Sequence, residues 1–270
     1  EVIVEDPLHP GLLNVILSNN YSINPIQADS SGMKTDMLKI INKAGFIYVT
    51  PSHQFPLGGI LPIQRRIELV KFAQRNDCYI IEDDYDSEYR FEGAPISSLY
   101  ELEPNKVIYI GSFSKILAPS IRLGYMILPY SLIPRYLKAK MYSDVHTETL
   151  TQLVLAHFIN DGKLEKHIWK IKKEYLKKRQ AVIDNLNINF PNSYTVKGHA
   201  AGLHLIAEFD DVIFTEELLS KIANEKVKVY PVEGYAINKG SHCNKILLGY
   251  GHLSIKEIED GIGRIKQALS

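Results

Sequence analysis

Short apolar runs alternate with helical patterns along the first half of the chain. The runs are too short for helices and show no alternation with polar residues, which is typical of strands buried on both faces. The pattern predicts strands and helices over these residues: strands Val2–Glu5, Phe46–Thr50, Tyr79–Glu82, Lys106–Ile110 and Gly124–Leu128, and helices Leu12–Asn19 and Ile63–Asp77. The order of these elements indicates an α/β fold with a mostly parallel sheet.

The pattern changes after Pro129, where longer helices are followed by a second group of strands. It predicts helices Leu132–Met141, Thr149–Asn160, Lys163–Leu186 and Ser254–Leu269, and strands Tyr194–Lys197, Gly202–Glu208, Lys226–Pro231 and Lys245–Tyr250. Ser254, with Glu257 three residues later, has the sequence of a capping box. We therefore expect a large domain over residues 1–145 and a smaller α+β domain over residues 146–270, which includes the long connecting helix.

Composition excludes several classes of protein. Lys plus Arg and Asp plus Glu both number 31, so the chain has no net charge and no excess of basic residues for nucleic-acid binding. No apolar run approaches the roughly 18 residues of a membrane-spanning helix. The chain has two cysteines, Cys78 and Cys243, without the spacing of metal ligands, so we expect no metal and a reducing cytoplasm.

Polar residues follow two of the predicted strands in a pattern that suits pyridoxal 5'-phosphate (PLP). Asp83 and Tyr85 follow one strand, and Ser112, Ser114 and Lys115 follow another. In open α/β sheets, ligands bind at the carboxyl ends of the strands, so both groups fall on the functional edge. The alternative interpretation is structural: an acidic turn and an exposed lysine, as most lysines are.

Each of these residues has a chemical role in the PLP interpretation. Lys115, buried and near other cations, loses its proton readily and forms the Schiff base. Asp83 holds the pyridine nitrogen protonated, and Tyr85 donates to the ring oxygen beside the aldehyde. Hydroxyl groups and the guanidinium of Arg122 neutralise the phosphate.

Two turn-rich loops lie at the same predicted edge. One carries His53 and Gln54, which can reach a cofactor or a substrate, although the loop's prolines and glycines also fit a purely structural role. The other carries His9, whose imidazole can stack on a planar ring or remain a solvated turn residue.

Three segments carry a resemblance to a known family. They are Tyr-Val-Thr-Pro-Ser-His-Gln-Phe-Pro at 48–56, Ile-Ile-Glu-Asp-Asp-Tyr-Asp-Ser-Glu-Tyr-Arg-Phe at 80–91 and Val-Ile-Tyr-Ile-Gly-Ser-Phe-Ser-Lys at 107–115. The chain resembles the aminotransferase-like domain of MocR regulators, bacterial proteins of the GntR class with a winged helix-turn-helix fused to a fold-type I domain. The resemblance continues more weakly through Gly202-Leu203-His204 and Leu248-Gly249-Tyr250.

The resemblance implies roles for the candidate residues. Lys115 resembles the lysine that forms the internal aldimine, Asp83 the pyridine partner and Tyr85 the contact to the ring hydroxyl. Ser112 and Arg122 resemble phosphate ligands. His9 falls where the family places a stacking aromatic residue, and His53 and Gln54 fall in the loop beside the ring. The resemblance also implies a cytoplasmic homodimer, and DNA binding only through a winged helix-turn-helix absent from this sequence.

Three functions stay open at this point. The first is an effector domain that senses PLP, or PLP joined to an amine or amino acid. The second is an active aminotransferase. Leu247 argues against it, because enzymes of this type carry an arginine at the equivalent position for the substrate carboxylate. Lys245 is close by, but a point charge does not replace the guanidinium fork. The third is a chain that folds without binding PLP, because we expect a missing N-terminal part that includes a phosphate-binding helix turn.

Overall fold

Seven strands from the first half of the chain form one mixed sheet. The computed structural model describes residues 1–269. The strands lie in the order β3-β2-β1-β4-β5-β6-β7, parallel except for the β2–β3 and β6–β7 pairs. They are β1 (Val2–Asp6), β2 (Ile23–Asp29), β3 (Gly32–Met33), β4 (Phe46–Val49), β5 (Tyr79–Asp84), β6 (Val107–Ser112) and β7 (Gly124–Ile127). The predicted α/β architecture is confirmed.

Helices pack on this sheet and continue through the second half of the chain. They are α1 (Pro10–Ser18), α2 (Ile63–Arg75), α3 (Leu99–Leu102), α4 (Phe113–Ile116), α5 (Ile133–Ser143), α6 (Thr149–Asn160), α7 (Lys163–Asn189), α8 (Glu216–Asn224) and α9 (Ile255–Leu269). None of them, within residues 1–269, combines the length and the apolar character that crossing a bilayer requires.

The central strands are buried on both faces because their alternate residues enter two different cores. Val2 and Val4 of β1 belong to an apolar cluster with residues of α1, whereas Ile3 belongs to a second cluster with residues of α2. The same alternation runs through β5, where Ile81 joins the α1 cluster and Ile80 the α2 cluster. Full burial of side chains of this size contributes about 1.5–3 kcal/mol each. We call these two surfaces the α1 face and the α2 face.

A buried charge pair fixes the loop after β4 on the α2 face. Arg66 of α2 is 1% exposed and donates to the carbonyl of Pro51 at 2.8 Å. Its partner Glu82 is fully buried and accepts from the backbone N–H groups of Leu99 and Tyr100 at 3.0 and 2.9 Å. The pair therefore joins α2, α3 and the loop that begins at Pro51.

The second half of the chain folds around its own antiparallel sheet, in the order β10-β11-β9-β8. Its strands are β8 (Tyr194–Lys197), β9 (His204–Phe209), β10 (Tyr230–Pro231) and β11 (Lys245–Gly249). A separate apolar cluster, which includes Leu186 of α7 and Ile262 of α9, covers it. The predicted capping box begins α9, since Ser254 Oγ accepts from the N–H of Glu257 at 3.2 Å. The division near residue 145 falls between α5 and α6 and stays a prediction.

Several elements differ from the sequence prediction, and strand β3 and helices α3, α4 and α8 were not predicted at all. Strand β2 was not predicted, because Asn24, Pro25 and Gln27 interrupt its apolar pattern. The strand predicted over Lys226–Pro231 is reduced to two residues. Strand β7 is exposed along its whole length and is therefore not buried on both faces, since it has a neighbour on one side only.

Candidate cofactor site

Adjacent strands bring the predicted site residues to one edge of the large sheet. The parallel strands β1, β4, β5 and β6 are neighbours and all end at this edge. Strand β7 is antiparallel and starts there, with Gly124 opposite Ser112. The residues gathered at the edge are His9, His53, Gln54, Asp83, Tyr85, Ser112, Ser114, Lys115 and Arg122.

Only one of the two carboxylate oxygens of Asp83 accepts a hydrogen bond from the described residues. Asp83 lies on the α1 face of β5, and its Oδ2 accepts a hydrogen bond from the hydroxyl of Tyr48. Its Oδ1 makes no hydrogen bond with any residue between 1 and 269. Burial raises the pKa of Asp83, and the hydrogen bond from Tyr48 acts in the opposite direction. Side chains alternate between the two faces of a strand, so the next residue, Asp84, lies on the other face. There it accepts a hydrogen bond from the Tyr109 hydroxyl at 2.6 Å.

Lys115 lies on α4, directly after β6. The side chain of Ser112 caps this short helix by accepting from the N–H of Ser114 at 3.2 Å. Lys115 is exposed, which corrects the prediction of a buried lysine; α4 lies beside the exposed edge strand β7, where little covers it. In the part of the chain that the structure describes, Nζ has no hydrogen-bond or ion-pair partner.

Arg122 stands at the start of β7 in a left-handed conformation, with φ of 49°. Such a φ is uncommon for a residue other than glycine and is typical of sites where function constrains the backbone. The guanidinium is exposed and pairs with no acid among residues 1–269. Arg122 and the hydroxyl groups of Ser112 and Ser114 thus form a set of donors that suits a dianion.

Tyr85 and His53 contact each other behind this edge. The Tyr85 hydroxyl donates to the backbone carbonyl of His53 at 2.8 Å. The His53 ring is buried, with Nδ1 at 2.9 Å from the Asp86 carboxylate and Nε2 at 3.3 Å from the Gly198 carbonyl. Both ring nitrogens face acceptors, and a doubly protonated ring donates to both of them. Burial lowers the pKa of His53, but Asp86 outweighs it and the pKa is raised overall.

Replacing Asp86 by asparagine is expected to bring the pKa of His53 below its usual 6.5, because burial then acts without the opposing carboxylate. Titration of the ring nitrogens by NMR measures this directly. Asp210→Asn, a change at an exposed position, serves as the control. If His53 kept its raised pKa in Asp86→Asn, the ion pair would not be its cause.

Gln54 is fully buried, and its amide is used by its own loop. Its Nε2 donates to the carbonyls of Pro7 and Phe55 at 3.0 and 2.7 Å, and its Oε1 accepts from the N–H of Leu57 at 3.0 Å. These bonds give Gln54 a structural role, and a direct contact with a ligand stays a prediction.

Glu5 anchors the beginning of the same loop from the α2 face. Its Oε2 accepts from the N–H and the hydroxyl of Thr50 at 3.0 and 2.6 Å. Its Oε1 is buried and finds no hydrogen-bond partner within residues 1–269. Burial raises the pKa of Glu5 from 4.5 to about 7, against the hydrogen bonds from Thr50.

His9 caps α1, where its Nδ1 accepts from the N–H of Gly11 at 3.0 Å. The ring is exposed and lies 5.4 Å from the ring of Phe55. Stacking of His9 on a cofactor stays a prediction, and the exposed ring leaves a face available for it.

His204 and the aromatic residues around Phe55 were not among the predicted site residues. His204, on β9, donates through Nε2 to the carbonyl of Pro56 at 3.0 Å, which makes Nε2 the protonated nitrogen. The centroid of its ring lies 4.7 Å from that of His53. The ring centroid of Phe55 lies 5.5 Å from that of His204 and 5.2 Å from that of Tyr235. Burial, then the charge of His53, lowers the pKa of His204 well below its usual value. The only indication of His204 in the sequence was the Gly-Leu-His segment, and periodicity alone predicts an ordinary strand there.

The two sheets meet at glycines beside this cluster. A Cβ added to Gly58, which has φ of 73°, would lie 2.3 Å from the Cα of Gly198. The loop after β4 and the turn after β8 therefore touch backbone to backbone. Asp6 adds a second connection, because it accepts from the N–H groups of Ile237 and Asn238 at 2.7 and 3.0 Å.

Leu247 lies in an apolar environment on β11. It is 7% exposed and packs in a cluster with Ile206 and Val232. Lys245, two residues away, is held by the Ser241 carbonyl at 2.9 Å and lies 3.5 Å from Glu208. Neither residue offers a free cation to a substrate carboxylate.

Comparison of the fold and the sequence with known proteins defines the class. The alpha-aminoadipate aminotransferase from Thermus thermophilus, solved in complex with N-(5'-phosphopyridoxyl)-L-leucine, superposes with a TM-score of 0.90 at 26% identity, over 99% of this chain and 70% of that chain. The expected fold-type I architecture is thereby confirmed. The family model for aminotransferase class I and II matches residues 1–259, and the chain belongs to that family.

Transcriptional regulators are among its relatives in sequence. The uncharacterized HTH-type transcriptional regulator YdeL of Bacillus subtilis is 37% identical over 268 residues, which are 98% of this chain and 57% of the relative. The HTH-type pyridoxine biosynthesis transcriptional regulator PdxR of Corynebacterium glutamicum is 29% identical over 99% of this chain and 57% of its own length. The chain thus spans about half the length of these relatives.

PLP is the cofactor of this family, and the donors at the sheet edge fit it. The free Oδ1 of Asp83 suits a protonated ring nitrogen, and the free amine of Lys115 suits an aldehyde. The unpaired guanidinium of Arg122 suits a phosphate. The chemistry of all three groups therefore agrees with the three functional groups of this cofactor.

Proposed function

We propose that this chain is the effector domain of a MocR-type transcriptional regulator and that it binds PLP through Lys115. One observation carries the proposal: three groups without protein partners among the described residues, on Asp83, Lys115 and Arg122, lie at one sheet edge and match one cofactor. The similarity to the regulators YdeL and PdxR supports the regulatory role.

In this proposal each residue has a defined task. When bound, PLP supplies an electrophilic aldehyde carbon and a ring that accepts electrons. Lys115 would hold the cofactor at this carbon, because its Nζ is the amine available at the sheet edge. Asp83 would hold a proton on the ring nitrogen, and Tyr85 would present its hydroxyl to the ring oxygen. Arg122 and the hydroxyl groups of Ser112 and Ser114 hold the phosphate.

The effector is PLP itself, or PLP joined to an amine or an amino acid. The apolar surroundings of Leu247 favour a ligand that needs no carboxylate clamp at that position. A ligand of either kind shifts the protein between conformations only as far as its affinities for the two differ.

Partners and location follow from the regulatory role. DNA is bound by a winged helix-turn-helix outside the present sequence, and the protein acts in the cytoplasm. We propose a homodimer, which is supported by exposed apolar side chains on α5 and α6: Leu137, Met141, Leu150, Leu153 and Val154.

Aminotransferase activity is the second candidate, because the donor set with Lys115 and Asp83 is also the set that transamination needs. Lys115 would then move a proton between the substrate carbon and the cofactor. Accumulation of a keto product on addition of amines or amino acids to the PLP-loaded chain distinguishes an enzyme from a sensor.

The direct test of the site is chemical. The purified chain is mixed with PLP, its visible absorbance is recorded, and borohydride is added to reduce the covalent link. Peptide mapping by mass spectrometry is expected to find one pyridoxyl group, on Lys115. A folded chain that carries no such group, or carries it elsewhere, contradicts the proposal.

Asp83→Asn is expected to weaken PLP binding about 10- to 100-fold, since it removes a charged acceptor from the ring nitrogen. The absorbance of the bound cofactor should change as well. Asp84→Asn is the matched control, because Asp84 lies on the other face of the same strand and bonds to Tyr109. Equal effects of the two changes would argue against a ring contact by Asp83.

A further inference from the structure

Tyr48 holds the carboxylate that we assign to the ring nitrogen. Its hydroxyl donates to Oδ2 of Asp83, and Oδ1 is the oxygen without a partner among residues 1–269. We propose that Tyr48 is a positioning residue, which fixes Asp83 so that Oδ1 faces the ring nitrogen of the cofactor. This inference rests on the proposed function and adds a residue to its site.

The position of the Tyr48 hydroxyl is fixed by packing. Tyr48 is 9% exposed and belongs to the apolar cluster of the α1 face, with Val4, Leu8 and Ile16. Residues alternate along β4 and β5, so Tyr48 and Asp83 both lie on this face. A ring enclosed in this way keeps its hydroxyl on one carboxylate oxygen, and the carboxylate cannot rotate without losing that bond.

The hydrogen bond from Tyr48 also opposes the groups that raise the pKa of Asp83. Burial and the negative charges of Asp84 and Asp86 raise the pKa of Asp83, and the hydrogen bond from Tyr48 lowers it. Burial and the charges of Asp83 and Glu5 raise the pKa of Tyr48 itself, so the phenol stays protonated and remains a donor. The hydroxyl therefore helps to maintain the negative charge that a pyridinium partner needs.

The chain contains a matched pair for comparison. Tyr109 donates to Asp84 at 2.6 Å in the same kind of contact, on the same strand as Asp83 but on its opposite face. Tyr48→Phe and Tyr109→Phe each remove one phenol hydroxyl from one aspartate and keep the aromatic ring. Only the first change touches the assigned cofactor face.

The experiment measures the ring nitrogen of PLP labelled with 15N in the loaded chain, together with the dissociation constant of PLP. Tyr48→Phe is expected to move the nitrogen resonance toward that of unprotonated pyridine and to weaken PLP binding about tenfold. Tyr109→Phe should leave both unchanged. An unchanged resonance in Tyr48→Phe, or the same change in both variants, overturns the assignment.

A second measurement separates this inference from the proposed function. The pKa of Asp83 is followed by 13C NMR of its carboxyl carbon in the cofactor-free chain. It is expected to rise in Tyr48→Phe and to stay constant in Tyr109→Phe. If the wild-type chain failed to bind PLP, the proposed function would fall, while a constant Asp83 pKa in Tyr48→Phe would overturn the role of Tyr48 by itself.

Discussion

Replacing Lys115 by alanine is expected to abolish the covalent attachment of PLP completely. The amine is the nucleophile that bonds to the aldehyde carbon, and alanine offers nothing in its place. Borohydride reduction followed by mass spectrometry should find no pyridoxyl group on the variant. Residual PLP binding, through Asp83 and Arg122, should be weak and removable by dialysis.

The control for this change is another exposed lysine. Lys138→Ala alters an exposed position on α5 and should retain the full adduct on Lys115. The melting temperature should remain close to that of the wild type in both variants, because Nζ of Lys115 bonds to no residue that the structure describes. A pyridoxyl group at unchanged stoichiometry in Lys115→Ala would show that a different lysine reacts.

Replacing Glu5 by glutamine is expected to remove about 3 kcal/mol of pH dependence from the free energy of unfolding. The pKa of Glu5 is about 7 in the folded chain, against an ordinary value of 4.5. A carboxyl whose pKa is higher in the folded chain than in the unfolded chain contributes its full stabilisation at pH values below the unfolded-state pKa. This contribution is lost as the pH rises through the folded-state pKa. The contribution of Glu5 to stability therefore falls as the pH rises from about 4.5 to about 7, where the buried carboxyl ionises.

Urea unfolding at a series of pH values measures this effect. The free energy of unfolding of Glu5→Gln relative to the wild type should increase steadily over that range. His53 titrates in both proteins and cancels in the difference. Glu259→Gln, at an exposed position on α9, should give a curve parallel to that of the wild type. A parallel curve for Glu5→Gln would mean that Glu5 is ionised throughout.

The sequence could predict those site residues that directly follow a strand. Asp83 and Lys115 each follow an apolar run, and parallel strands deliver such positions to one edge whatever their separation along the chain. Strand periodicity also accounts for the separation of Asp83 from Asp84, since the two bond to tyrosines on opposite faces.

The remaining features depend on contacts that sequence spacing does not encode. Tyr48 looks like one more apolar residue of a buried strand, and only the register of β4 against β5 brings its hydroxyl to Asp83. His204 reaches the site from the other sheet, across a junction set by tertiary packing. The exposure of Lys115 follows from the edge position of β7, which an apolar pattern alone cannot distinguish from a central one.

The contact between Gly58 and Gly198 has a mechanical consequence. With no side chain between them, the loop after β4 has no room to move toward the smaller sheet. The Asp86–His53–Gly198 chain of hydrogen bonds joins the same two segments electrostatically. A ligand that pushes this loop toward the smaller sheet must therefore displace that sheet as well, and such a coupling between two sites is reciprocal.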